Sequence, residues 1–198
     1  MRLDHIAIAA ERLQDGIEAV QNALNVPLEA GGRHAHFGTR NALLGLGDLY
    51  LEVLAPEPGP PPGPPRWFGL DGFAGSPRLA NWICAVPDLD AALETAPTEC
   101  GRPVDLRRGD LTWRMAVPGD GSLPFGGGYP SLMEWGPGAH PASRLPDRGC
   151  RLQRLTIRHP RAAWLAAQIA LQEPRVRFET GEVALSAVID TPSGTVTL

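Results

Sequence analysis

The feature that most constrains this chain is a repeat. Met1 to Ala10 is a short apolar run with one imidazole, His5, at its centre, and a degraded copy returns about 76 positions later as Leu79 to Val86. After each copy the pattern turns amphipathic with helical spacing, then extended, and closes on an apolar run that carries a glutamate. The closing runs are Leu49 to Leu54, with Glu52, and Leu132 to Trp135, with Glu134. Each unit therefore offers one polar residue on its opening strand and one carboxylate on its closing strand, His5 with Glu52 and Asn81 with Glu134.

Composition removes several function classes. A chain of 198 residues that is 43% apolar can bury a substantial core. No apolar run approaches the roughly 20 residues of a membrane span, and the N-terminus lacks the basic region and long apolar stretch of a secretory signal, so the expected location is the cytoplasm. A net charge of -4 and a pI near 5.7 argue against general attraction to nucleic acid or to an anionic membrane. All 18 positive residues are arginine, which excludes a lysine Schiff base and a Walker-type phosphate loop. Cys84, Cys100 and Cys150 are odd in number and widely spaced, and read as reduced thiols.

In chain order, strict alternation puts Leu3, His5, Ala7 and Ala9 on one face of the opening strand and Asp4, Ile6 and Ile8 on the other. Leu13, Ile17, Val20 and Leu24 form the stripe of a helix, ended by Asn25 and Pro27. Gly31 to Asn41 is polar and glycine-rich, a loop feeding one or two strands, with a turn at Gly47 and Asp48. The proline-dense run from Ala55 to Pro65 reads as a semi-rigid polyproline spacer, or alternatively as a PxxP ligand. In the second unit Asp88 is placed to cap a helix bearing Leu89, Ala92, Leu93 and Ala96, and Leu111 to Val117 is a strand. Gly119 to Gly128 is a flexible loop. His140 and His159 read as surface or turn residues.

The last fifty residues look like a third, shorter copy. Strands are expected at Leu152 to Arg158, Val176 to Phe178, Leu185 to Ile189 and Thr195 to Leu198, with a helix over Arg161 to Gln172. Arg154 stands where His5 would be and Thr197 where Glu52 would be. The expected class is α+β, with units at 1-56 and 78-137 forming a cleft, a proline-rich linker at 57-77, and a third unit at 150-198.

These residues carry a resemblance. The βαβββ repeat, with Leu3-Asp-His-Ile-Ala-Ile8 opening and Tyr50-Leu-Glu-Val53 closing, resembles the vicinal oxygen chelate superfamily, which includes glyoxalase I, extradiol dioxygenases and bleomycin-resistance proteins. More narrowly, Gly31-Gly-Arg-His34, Gly38 to Leu44 and Tyr50-Leu-Glu52 resemble the glyoxalase-like domain proteins of bacteria. The resemblance implies a divalent ion (Zn, Mn, Fe, Ni or Mg) held by His5, Glu52, Asn81 and Glu134, although asparagine departs from the histidine, glutamine or glutamate more usual at its position. It implies Glu134 as general base, with His5 beside it, and His34, Arg40, Asn41, Trp113 and Arg114 around a small oxygenated substrate. The expected activity is then lyase or isomerase. A metal-free protein that binds a small molecule, and a dimer completed by the third unit, are the alternatives. Each site residue also has an ordinary reading: His5 as a hydrogen-bonded core residue, Glu52 and Glu134 as partners of buried donors, Asn41 as a turn cap, and Arg114 as a surface cation.

Overall fold

A computed structural model describes all 198 residues. The first copy of the repeat runs β1 (Arg2–Ala9), α1 (Leu13–Leu24), β2 (Glu29–His34), β3 (Thr39–Gly45) and β4 (Tyr50–Pro56). The second runs β5 (Arg78–Ala85), α2 (Leu89–Thr95), β6 (Arg102–Arg108), β7 (Leu111–Val117) and β8 (Ser131–Trp135). Strand β6 has the sequence RPVDLRR, too polar for alternation to announce it, and the glycine-rich stretch expected to be loop supplies much of β2. Asn25 ends α1 in the left-handed conformation, and the Asp88 carboxylate caps α2 by accepting from the Ala91 amide.

The two units make one curled sheet in the order β2-β3-β4-β1-β5-β8-β7-β6. The opening strands β1 and β5 lie antiparallel at its centre, and each pairs in parallel with its own closing strand, β4 or β8. Curling brings the two outer edges together, so that the Arg108 stem on β6 lies over Gly32 on β2.

The convex face carries the larger core. Ile6, Ile8, Leu51, Val53, Trp82 and Cys84 share one cluster with Val20 and Leu24 of α1, and burial of each large side chain contributes about 2 kcal/mol. The third unit covers the rest of this face within the same chain. It consists of β9 (Arg151–Arg158), α3 (Ala162–Ile169), β10 (Val176–Glu179), β11 (Ala184–Thr191) and β12 (Gly194–Thr197), and its Leu155, Ile157, Ala187 and Ile189 join the same core. The succession is the expected βαβββ, but its sheet is separate and runs β10-β9-β11-β12. Its opening strand pairs with the strand after the helix, whereas β1 pairs with the last strand of its unit.

The proline-rich segment does more than separate the units. On the concave face Ala7, Ala9 and Ala85 are small, and the space above them is filled by Trp67, Phe68 and Leu70 from this segment together with Phe37. Phe37, Trp67 and Phe68 form a continuous stack, with ring centroids 4.5 and 4.9 Å apart. The segment folds back because prolines keep it extended and Arg66 ties it down: the buried guanidinium donates to the carbonyls of Gly38, Glu57 and Gly59 and pairs with Asp71 at 2.7 Å. Replacing Arg66 with alanine leaves these acceptors without their shared donor. Thermolysin is then expected to cut near Phe68 and Leu70 under conditions in which the wild-type strap stays intact; equal resistance in the variant would show that the clamp is dispensable.

Candidate functional site

The site begins with an irregularity in β1. The pairing of β1 with β5 runs Leu3 with Cys84 and then His5 with Ile83, so Asp4 is an extra residue, a β-bulge. Beyond the bulge the alternation changes phase. Leu3 therefore packs in the convex core with Ile6 and Ile8, while His5, Ala7 and Ala9 face the concave side. This corrects the grouping of Leu3 with His5, and it explains how Asp4 and its neighbour His5 touch.

Asp4 is fully buried. One carboxylate oxygen accepts from His5 Nδ1 at 2.8 Å, and the other accepts from Trp135 Nε1 and His140 Nε2, each at 2.9 Å, with Arg2 at 3.5 Å. His140 Nδ1 accepts the Ala142 amide, so its proton sits on Nε2 and points at Asp4. Burial opposes charge on Asp4, but the hydrogen bonds from His140 and His5 outweigh it and hold the carboxyl well below its usual range. His140 is thus a partner of the buried carboxylate rather than a surface residue.

With Nδ1 committed to Asp4, His5 presents Nε2 to the cleft, 3.7 Å from Glu52 Oε2. Its ring stacks on Tyr50 at 4.3 Å. The other Glu52 oxygen accepts a short hydrogen bond from the Asn41 side-chain amide, whose own oxygen accepts from the Gly32 amide at 2.7 Å. Gly31 is required here, because a β-carbon on it would overlap the Asn41 amide. Asn41 thereby orients Glu52, and one carboxylate oxygen is left facing His5.

On the far side of the void lie His34 and Arg108, 3.1 Å apart between Nε2 and Nη1. A guanidinium only donates, so His34 Nε2 is the acceptor and Nδ1 carries the proton, which it gives to Thr39 Oγ1. Burial pushes the His34 pKa down to about 4 and keeps the ring neutral. Trp113 and Trp135 wall the same void, with Trp67 and Phe68 from the strap. The free space is about 20 Å³, near the size of one water molecule.

Of the residues expected at the site, His5, Glu52, His34, Asn41 and Trp113 converge here. Four do not. The register matches Ile83 with Ser131 and Ala85 with Met133, as it matches His5 with Tyr50 and Ala7 with Glu52. The second unit thus turns Ile83 and Met133 toward the cleft, and Glu134, one residue on, points to the convex side. There Glu134 accepts the Leu89 amide at the start of α2 and faces Arg114 at 3.6 Å. Asn81 is buried beside a second register shift, bonding Ser131 and the Trp82 amide. Arg114 forms a two-pronged pair with Asp90, and Arg40 is exposed on β3.

The chemistry of the donors decides the metal question. Only two of the four expected ligands meet, the opposite wall supplies Met115 and Met133, and a cationic guanidinium already stands in the cleft. Catalytic zinc-type sites use three protein ligands, and no group of three or more His, Cys, Asp or Glu side chains is placed to hold an ion. These residues do not fit a resident divalent metal.

Two facing βαβββ units around a cleft define the vicinal oxygen chelate fold. Within that superfamily the chain belongs to the glyoxalase-like domain family, whose model matches residues 3–172. A hypothetical protein from Staphylococcus aureus is similar in structure, with a TM-score of 0.62, 14% identity, and coverage of 92% of this chain and 86% of that one. Methylmalonyl-CoA epimerase from Mycobacterium tuberculosis matches at TM-score 0.44 and 22% identity over 72% of this chain and 91% of that one. The Streptomyces coelicolor epimerase in complex with 2-nitronate-propionyl-CoA matches at 0.47 and 18%, over 70% and 99%. No curated protein matches in sequence. No helix is long and apolar enough to cross a membrane.

Two outcomes follow from the buried polar groups. Asp4→Ala leaves three donors unpaired in the interior and is expected to lower unfolding stability by about 3 kcal/mol in urea, a change under 1 kcal/mol contradicting this account. His34 binds its proton more weakly folded than unfolded, so stability is complete above its ordinary pKa near 6.5 and falls as pH drops toward about 4. The loss attributable to it is on the order of 3 kcal/mol, read as the difference between the stability profiles of wild type and His34→Gln. Parallel profiles would show that the ring is not held neutral.

Proposed function

We propose that this protein acts on a small oxygenated metabolite by moving a proton at His5 and Glu52, with lyase or isomerase character and without a resident metal. The observation that carries this reading is the buried line Asp4, His5, Glu52, Asn41, in which each end fixes the group inside it. Asp4 sets the His5 tautomer and Asn41 occupies one Glu52 oxygen, so one nitrogen and one oxygen are presented together to the void. Glu52 is the base in this scheme and replaces Glu134 in that role. It takes the proton from a carbon beside a carbonyl, whose oxygen receives the electron pair of the broken C–H bond. Proton return to a different atom through His5 Nε2 gives isomerisation, and departure of a group from the adjacent carbon gives elimination. Trp113, Trp135 and Met133 exclude water from the intermediate.

The wall of aromatic rings favours one second reading, a protein that sequesters a small molecule without changing it. Deuterium exchange into carbon-bound positions of small aldehydes, ketones and oxo acids, followed by NMR, separates the two. Proton transfer predicts exchange that persists in EDTA and falls at least about 100-fold in Glu52→Gln and in His5→Gln. Binding without exchange in the wild type would leave sequestration as the function. Exchange that requires an added metal would sink the metal-free scheme.

A further inference from the structure

The second unit gives the cleft its only cation, and that cation has no ionic partner. Arg66, the arginine of the strap, is saturated by Asp71 and three carbonyls. Arg114 is paired with Asp90, Asp105 and Glu134. Arg108 is half-buried, and its one side-chain hydrogen bond runs from Nη1 to the His34 ring, which carries no charge. Its Nε and Nη2 donate to nothing. These two groups form one side of the planar fork, the arrangement that meets both oxygens of a carboxylate.

The surroundings hold the fork in place. A β-carbon on Gly32 would lie 2.6 Å from Arg108 Cδ, so a larger residue there would push the stem from its present course. The His34 ring that receives Nη1 is itself fixed by Thr39, whose hydroxyl oxygen also accepts from Trp67 Nε1 at 3.1 Å. Glu52 shares the void and keeps its charge, but its oxygens are turned to Asn41 and His5 and it makes no ion pair with the guanidinium. A half-buried cation whose neutral acceptor, His34, sits against Trp67 and Trp113 attracts an anion more than a fully solvated one does, and the Glu52 charge favours an anion bound on the Arg108 side of the void.

Resting on the reading of the cleft as a proton-transfer site, we propose that its ligand is a small monocarboxylic acid. The carboxylate is held by Nε and Nη2 of Arg108, and the remainder extends between Trp113 and Trp135 toward His5 and Glu52. The void takes little more than a water molecule, so the acid enters as the Trp67 and Phe68 stretch of the strap moves aside. Phe68 and Gly69 are both left-handed, with φ of 59° and 66°, an uncommon conformation for phenylalanine that marks this stretch as the place where the strap would give.

The test titrates the full-length protein with acetate, propionate, butyrate and phenylacetate, each beside its neutral amide, following tryptophan fluorescence and thermal shift. At least one acid is expected to bind about 30-fold or more tightly than its amide. Arg108→Gln should bring that acid down to the affinity of the amide and leave the amide unchanged. Arg108→Lys, which keeps a donor for His34 but lacks the fork, should recover only part of the loss, and thermal melts show whether each variant is folded. Equal binding of acid and amide, binding of neither, or full acid affinity in folded Arg108→Gln overturns the proposal. Glu52→Gln removes a negative charge from the same void and is expected to bind the acid at least as tightly as the wild type. If it does so while the wild type exchanges no carbon-bound proton, proton transfer fails and the carboxylate site stands; if exchange occurs equally on neutral compounds, the carboxylate site fails and proton transfer stands.

Discussion

Asp4 is a carboxylate with no exposed surface, and imidazole and indole donors from three parts of the chain converge on it. A buried charge is tolerated only when its lone pairs are filled, so Asp4 determines where His5, Trp135 and His140 must be. Through His5 it sets the proton-bearing nitrogen in the cleft. Through Trp135 it draws the closing strand of the second unit toward the opening strand of the first. Through His140 it fastens the connection that leads to the third unit. The bulge that turns this residue inward is thus the point at which fold and site are joined.

The concave face follows from what that bulge displaces. Alanines at positions 7, 9 and 85 leave the sheet with a shallow floor, and dispersion and burial favour filling it. The strap does so with Trp67, Phe68 and Leu70, anchored by one saturated arginine. What remains unfilled is the small polar pocket around His5, Glu52, His34 and Arg108. One unit supplies its titratable groups and the other its cation and apolar wall, so the two copies of the repeat have divided the site between them.

Much of the fold was legible because period and punctuation are local. The stripe at Leu13, Ile17, Val20 and Leu24, the cap at Asp88, and the runs around His5 and Glu52 each state their own conformation. Strand β6 was not legible, since its exposed edge position tolerates arginines that mask the alternation. Within the site, His5 and Glu52 stood out as polar residues inside apolar runs, whereas strict alternation through Asp4 hid the bulge, which only the pairing with β5 reveals. Asn81 and Glu134 were misplaced because aligning the two copies by residue type ignores bulges, and a shift of one position sends a strand side chain to the opposite face. Arg108 gave no sign, lying in a polar hairpin that resembles any solvated turn.

The amino-acid sequence by itself determined the βαβββ order of elements, the pairing of an imidazole with a carboxylate in the first unit, and the absence of lysine chemistry. These are properties of short segments, set by side-chain period, capping and residue type. Only the tertiary structure decided which face Asp4 and Glu134 occupy, that the proline-rich strap returns to fill the cleft, and that Arg108 stands opposite Glu52. Those outcomes depend on register between strands distant in the chain and on sheet curvature, and both arise from the packing of the whole molecule.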